Sequence, residues 1–196
     1  MYKTMTSREN KKGKVIIIVA PSGAGKTTIA NKLLNDIDNV KFSTSATTRS
    51  PREGEQDGRE YFFLSDEEFD RRVERGEFLE WEAYGENRYG TLRSEVDKLV
   101  ESGYFPLLDI EVKGALNVKK MYGPGSVAIF IKPPSLEELK QRLRNRKSET
   151  EQEVQIRLKE AQKELQYADE FDHVVINDDL DKAYSQVKQI VTNFIR

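Results

Sequence analysis

The chain has 196 residues, enough for one α/β domain with insertions and a core that needs no covalent staples. Its 32 basic and 34 acidic side chains leave a formal net charge of −2, so no overall basic field exists for nucleic acid and any anion site must be a local cluster. With no cysteine there are neither disulfides nor thiolate metal sites, and the longest apolar run, Val15–Ala20, is too short to cross a bilayer. Met1–Lys12 is polar and lacks the apolar segment of a signal peptide; with Gly13 it reads as a flexible tail, and the whole as a soluble cytoplasmic protein.

Val15–Val19 is a continuous β-branched run, the pattern of a strand buried on both faces of a parallel sheet. It runs into Ser22, Gly23, Ala24, Gly25, Lys26, Thr27 and Thr28, after which Ile29, Leu33 and Leu34 recur at helical spacing. Strand, glycine turn and helix are the context of a P-loop, which binds a nucleoside triphosphate. Its backbone N–H groups and the helix N-terminus hold the phosphates, Lys26 reaches the β- and γ-phosphates, and the Thr27 hydroxyl binds Mg²⁺. Ala20 replaces the first glycine of GxxxxGK[ST]; it closes the strand, where φ need not be positive.

Val40–Ser45 follows, and Thr47–Tyr61 then reads as a loop. Within it Arg49 and Arg52 sit three residues apart, either solvated or a clamp for a second phosphate. Tyr61–Leu64 is a short strand, and Ser65 with Glu68 forms a capping box for a helix ending at Gly76. In Glu77–Tyr84 alternation places Leu79 and Trp81 toward the core and Glu80 on the other face. Gly85–Thr91 reads as a loop carrying Tyr89, and a helix continues from Leu92 to Gly103.

Tyr104–Glu111 is a second buried strand with acids at its C-terminal edge, the Walker B arrangement, in which Asp109 holds Mg²⁺. A helix and the strand Val127–Ile131 come next. The Ser135 box opens a helix that keeps Arg142 and Arg146 off its apolar face, and Thr150 with Glu153 caps another that carries Arg157 off its stripe. These arginines form either a solvated face or a lid over a transferring phosphoryl group. His173–Ile176 is the last strand, with His173 outside any catalytic cluster, and a helix with a full apolar face closes the chain.

Together APSGAGKTT, SATTRSPREGEQDGREY, EFLEWEAYGENRYGT, LLDIEVKG, RLRNRKSETEQEVQIRL and VINDDLDKAY resemble guanylate kinase, in order from Lys14 to the end. The resemblance implies an α/β fold: a P-loop NTPase-type parallel sheet flanked by helices, with an inserted GMP-binding sub-domain and a helical lid. The core would be 14–43, 104–135 and 172–196, the insertion 44–103 and the lid 136–171, after a tail of 1–13. It implies that guanylate is held at Ser45, Arg49, Arg52, Tyr61, Glu80, Tyr89, Thr91 and Glu111, and that Lys26, Arg142, Arg146 and Arg157 carry phosphoryl transfer. ATP, with Mg²⁺, would be the donor on the P-loop, with Asn177 near its adenine. Where the family often has serine and aspartate, this chain has Thr91 and Glu111. The expected partners are GMP and ATP alone, without nucleic acid or membrane, in a monomer or homodimer. The alternatives are a guanylate-kinase-like scaffold that binds phosphopeptides, which would lack the P-loop and lid residues, and a kinase for another monophosphate, which Glu80 disfavours.

Overall fold

The computed structural model describes residues 13–145 and 150–196. In chain order the first elements are β1 (Val15–Val19), α1 (Lys26–Asp36), β2 (Val40–Phe42), β3 (Ala46–Thr47), β4 (Phe62–Phe63), α2 (Asp66–Glu74), β5 (Phe78–Tyr84), β6 (Asn87–Leu92) and α3 (Arg93–Glu101). There follow β7 (Phe105–Asp109), α4 (Val112–Tyr122), β8 (Ser126–Lys132), α5 (Leu136–Asn145), α6 (Glu151–Leu165), β9 (His173–Ile176) and α7 (Leu180–Ile195).

β1 is apolar at every position because it is the middle strand of a parallel sheet, in spatial order β2-β7-β1-β8-β9, that is covered on both faces. Ile16 and Ile18 pack on one side with Ile29 and Leu33 of α1 and Val187 and Val191 of α7; Val15, Ile17 and Val19 pack on the other with Ala115 and Val118 of α4. Each such side chain taken from water contributes roughly 1.5–3 kcal/mol, so the strand that leads into the P-loop is among the least movable parts of the molecule. Chain connections run from β1 outward to β2 on one side and from β7 across to β8 on the other. Such a reversal opens a crevice at the carboxyl ends of the strands, where ligands bind in open α/β sheets.

A second sheet, β4-β3-β6-β5, stands over that crevice with its own small core of Ala46, Phe69, Phe78 and Leu92, in which Phe69 and Phe78 stack at 4.5 Å. Ser65 accepts the Glu68 amide and so caps α2, but the Glu68 carboxylate turns to Arg72, so the expected box is only half formed. Thr150 and Glu153 form a reciprocal box at the start of α6, whereas at α5 Ser135 accepts the Glu138 amide while the Glu138 carboxylate turns to Arg142.

Beyond the half-formed boxes, two sequence expectations fail here. Gly85–Thr91 is no loop: β5 and β6 form a hairpin in which Tyr84 pairs with Asn87 across a two-residue turn with Gly85 at φ 61°. Alternation gave no signal because only the Gly90–Leu92 end of β6 is buried. Nor does Trp81 enter the core. A register irregularity between Phe78 and Glu80 sends both Phe78 and Leu79 inward, into different cores, and leaves Trp81 46% exposed, edge-on to Phe69 and over Gly90. Among the described residues no helix is long and apolar enough to cross a membrane.

Candidate nucleotide site

The turn after β1 depends on two glycines in the left-handed region, Gly23 at φ 91° and Gly25 at φ 97°. A side chain at either position would be strained by that backbone conformation and crowded besides: a Cβ on Gly23 would lie 3.0 Å from Leu143 and 3.1 Å from Leu139 of α5, and one on Gly25 would lie 2.3 Å from Nδ2 of Asn177. Asn177, buried after β9, donates from Nδ2 to the Ala24 carbonyl at 2.8 Å and so fastens the loop to the sheet's far edge. Ser22 and Gly23 are half-buried, Ala24 is buried, and Thr27 and Thr28 open to solvent on the first turn of α1.

Register places Asp109 beside Ile18, and its carboxylate forms an ion pair with Lys26 Nζ; the lysine side chain is 18% exposed. Burial alone would weaken proton binding by Lys26, but Asp109, Glu111 and Glu164 outweigh it and hold the ammonium charged. Above the loop, Arg157 of α6 donates to the Ser22 hydroxyl at 2.6 Å. Arg142 of α5 donates to Glu138 at 3.1 Å and to the Asn177 carbonyl at 3.0 Å, so two of the expected lid arginines border the P-loop. Arg146 lies outside the described residues.

Across the crevice the second sheet presents Glu80. Thr91, opposite it in the β5–β6 ladder, donates to its Oε1 at 2.6 Å. Burial pushes the Glu80 carboxyl up, Thr91 opposes this through side chain and backbone, and Glu82 and Glu111 add to the rise. Glu111, at the N-cap of α4, is exposed, yet desolvation by the cleft walls raises its proton affinity against the pull of Lys26. Half-buried Ser45 precedes β3. The Arg49 guanidinium lies 5.5 Å from the Tyr61 ring centre, and Tyr61 meets Tyr89 edge-on at 5.9 Å. Arg52 is exposed.

Three contributors escaped the sequence reading. Glu55 accepts both Arg49 terminal nitrogens, at 3.0 and 2.9 Å, and the Arg52 amide at 2.7 Å, so one carboxylate shapes the whole arginine loop. It sits inside the quoted TTRSPREGEQDGREY segment, and its spacing of three from Arg52 was the available signal. Glu164 of α6 faces Lys26 and Glu111, and burial followed by Glu111 drives its carboxyl up to about 7. Gly114, on the first turn of α4, lies against Glu80. For Mg²⁺ the fit rests on donor chemistry: the Thr27 hydroxyl and the Asp109 carboxylate are hard oxygen donors at the mouth of the P-loop, the kind this ion takes in small number beside phosphate and water.

A parallel sheet whose central strand feeds a glycine turn, with a half-buried lysine held by an aspartate on the neighbouring strand, defines a P-loop nucleotide-binding protein. The model of the family described as guanylate kinase matches residues 12–194. A guanylate kinase of Chlorobium chlorochromatii (strain CaD3) is 49% identical over 93% of this chain and 96% of its own length; one of Thermotoga maritima is 48% identical over 92% and 86%. The crystal structure of guanylate kinase from Anaplasma phagocytophilum superposes with a TM-score of 0.72 at 33% identity, covering 92% of this chain and 85% of that one. The chain belongs to the guanylate kinase family.

Proposed function

We propose that the protein transfers the γ-phosphoryl group of ATP to GMP, giving ADP and GDP. The observation that carries this reading is the pairing, across one crevice, of a P-loop lysine with a half-buried carboxylate, Glu80, that Thr91 fixes in place. In this scheme 14–43, 104–135 and 172–196 bind ATP, 44–103 bind GMP and 136–171 form the lid.

The reaction needs no protein base. The nucleophile is a phosphate oxygen of GMP, and with a second pKa of about 6 it is largely dianionic at neutral pH. The chain's task is to align two repelling anions and compensate their charge. Lys26 bridges donor oxygens as the P-loop amides of Ser22–Thr28 hold them in place. Arg142 and Arg157, with Arg146, bring positive charge over the transferring group, and Asn177 borders the adenine side. Arg49 and Arg52, flanked by Tyr61 and Tyr89, hold the GMP phosphate; Glu80, Ser45, Thr91 and Glu111 take the base. Thr27 and Asp109 would hold Mg²⁺, which when bound supplies charge compensation between the phosphates.

Guanine presents two adjacent donors, N1–H and the 2-amino group, and an ionised carboxylate accepts both, whereas adenine brings a lone pair at N1. An assay of ADP release across AMP, GMP, CMP and UMP tests the proposal. GMP should be used at least about 10²-fold better than AMP by kcat/KM. Equal use of AMP, or no ADP with any acceptor, defeats it.

A further inference from the structure

Gly114 occupies the third position of α4, a buried site in the first turn where a capping glutamate or glutamine is common and glycine is disfavoured relative to alanine. Nothing in its own backbone calls for glycine, since its φ is not among the positive ones. The reason lies across the crevice. A Cβ on Gly114 would stand 2.6 Å from Oε2 of Glu80 and 3.1 Å from its Cδ and Cγ, with no backbone among its nearest neighbours. The other carboxylate oxygen, Oε1, is held by Thr91 at 2.6 Å. Glu80 is therefore pinned between a hydroxyl on β6 and a gap in the side-chain surface of α4. The positive end of the α4 peptide dipoles lies beneath it, and Glu111 and Glu82 are its charged neighbours.

We propose that Gly114 is a positioning residue for base selection: the missing side chain leaves the space that lets the Glu80 carboxylate rest on α4 with its oxygens set for the two donors of guanine. The inference rests on the reading of Glu80 given above and goes beyond it in naming what fixes that carboxylate. An added methyl meets the end of a side chain and not backbone, so the fold should accommodate it and the Glu80 carboxylate should be displaced from its place beside Thr91.

The test is GMP binding by calorimetry, together with kcat and KM, for wild type, Gly114→Ala, Glu80→Ala and the double variant, with thermal unfolding of each. Gly114→Ala should unfold at or above the wild-type temperature. It should weaken GMP by about 10-fold or more, the size of one lost hydrogen bond to a charged group, through KM and with ATP affinity unchanged. In the Glu80→Ala background the same substitution should change GMP affinity less than about 2-fold, because residues that act through one another are not additive. Glu80→Asp, shorter by one methylene, should restore part of the loss in Gly114→Ala. Unchanged GMP affinity in Gly114→Ala beside a crippled Glu80→Ala overturns this inference alone, as does an equal loss in both backgrounds. Wild-type GMP affinity in Glu80→Ala overturns the reading of Glu80 and this inference with it.

Discussion

The two halves of the crevice are made in different ways. The P-loop half is backbone: a fully buried strand fixes where the turn begins, two glycines take the left-handed region, and α5 and Asn177 press on the loop from outside. The second-sheet half is side chains, with Glu80 set by Thr91 and the arginine loop gathered around Glu55. Backbone sites take whatever carries the right charge and spacing, as the phosphate chain of any nucleoside triphosphate would. Side-chain sites discriminate, because a donor or acceptor left unmatched in a sheltered place costs its full desolvation. One half should therefore govern rate and the other choice.

The sharpest way to break that comparison is at Lys26. Its ammonium is kept charged and aimed by Asp109, and charge compensation in a sheltered site is the largest contribution available to phosphoryl transfer. Lys26→Ala should lower kcat by about 10²-fold or more, measured by ADP release at saturating GMP and ATP. His173→Gln is the control: His173 is exposed on the outer strand β9, and its loss should leave kcat as it was. A large fall in the histidine variant would overturn the base-free scheme.

Glu80→Gln tests the other half. The amide keeps the volume and the Thr91 contact but offers only one acceptor where guanine needs two, so kcat/KM for GMP should fall by about 10²-fold while the KM for ATP stays near wild type. An unchanged GMP-to-AMP ratio would place base reading elsewhere. Burial raises the Glu80 carboxyl, and only its ionised form accepts both donors. GMP binding should weaken as pH falls through that raised value, and in the Gln variant only the loss that follows protonation of the GMP phosphate itself should remain.

The same contrast explains how much could be read from the sequence. The P-loop half was legible because its causes are local: a β-branched run, a glycine spacing and an apolar repeat at helical spacing each sit within a few residues. The second half was legible only in part: spacing marked Arg49 and Arg52 and alternation turned Glu80 from the core, but the full set came through resemblance to a family, since its geometry depends on pairs apart in the chain, such as Glu80 with Thr91 and with Gly114. Where local pattern was pushed there it failed. Strict alternation put Trp81 inside because the register break after Phe78 leaves no mark in the composition of FLEWEAY. Glu55 and Glu164 were passed over because charged residues in loops and on lid helices are usually solvated, and only the fold brings them to Arg49 and Lys26.

A smaller effect is expected at Arg49, where shape rather than charge is in question. Glu55 takes both terminal nitrogens of the flat guanidinium fork and holds it 5.5 Å from the Tyr61 ring centre, and a GMP phosphate would take the fork's donors in its place. Lysine keeps the charge and loses the fork, so Arg49→Lys should raise the KM for GMP by about 10-fold with a much smaller change in kcat. If kcat falls as far as KM rises, Arg49 acts in the transition state and the division between rate and choice fails at that residue.

The smallest predicted effect concerns the seam between the halves, and it is read in stability instead of rate. Glu164 reaches the crevice from α6, where burial and then Glu111 push its carboxyl up to about 7 from the ordinary 4.5, Lys26 opposes, and Glu160 and Glu82 add to the rise. A carboxyl that binds its proton more tightly in the folded chain than in the unfolded one favours folding most below pH 4.5. That advantage is lost as pH climbs to about 7, and above it the folded state carries the cost of a crowded charge. Glu164→Gln removes the charge and keeps the shape. In nucleotide-free buffer the variant should match wild type near pH 5 and melt about 2–4 °C higher at pH 8, the shift that roughly 1 kcal/mol gives a chain of this size once partial exposure is discounted. Melting curves for the two proteins that stay parallel from pH 5 to pH 8 would show that Glu164 carries no strained charge in the folded state.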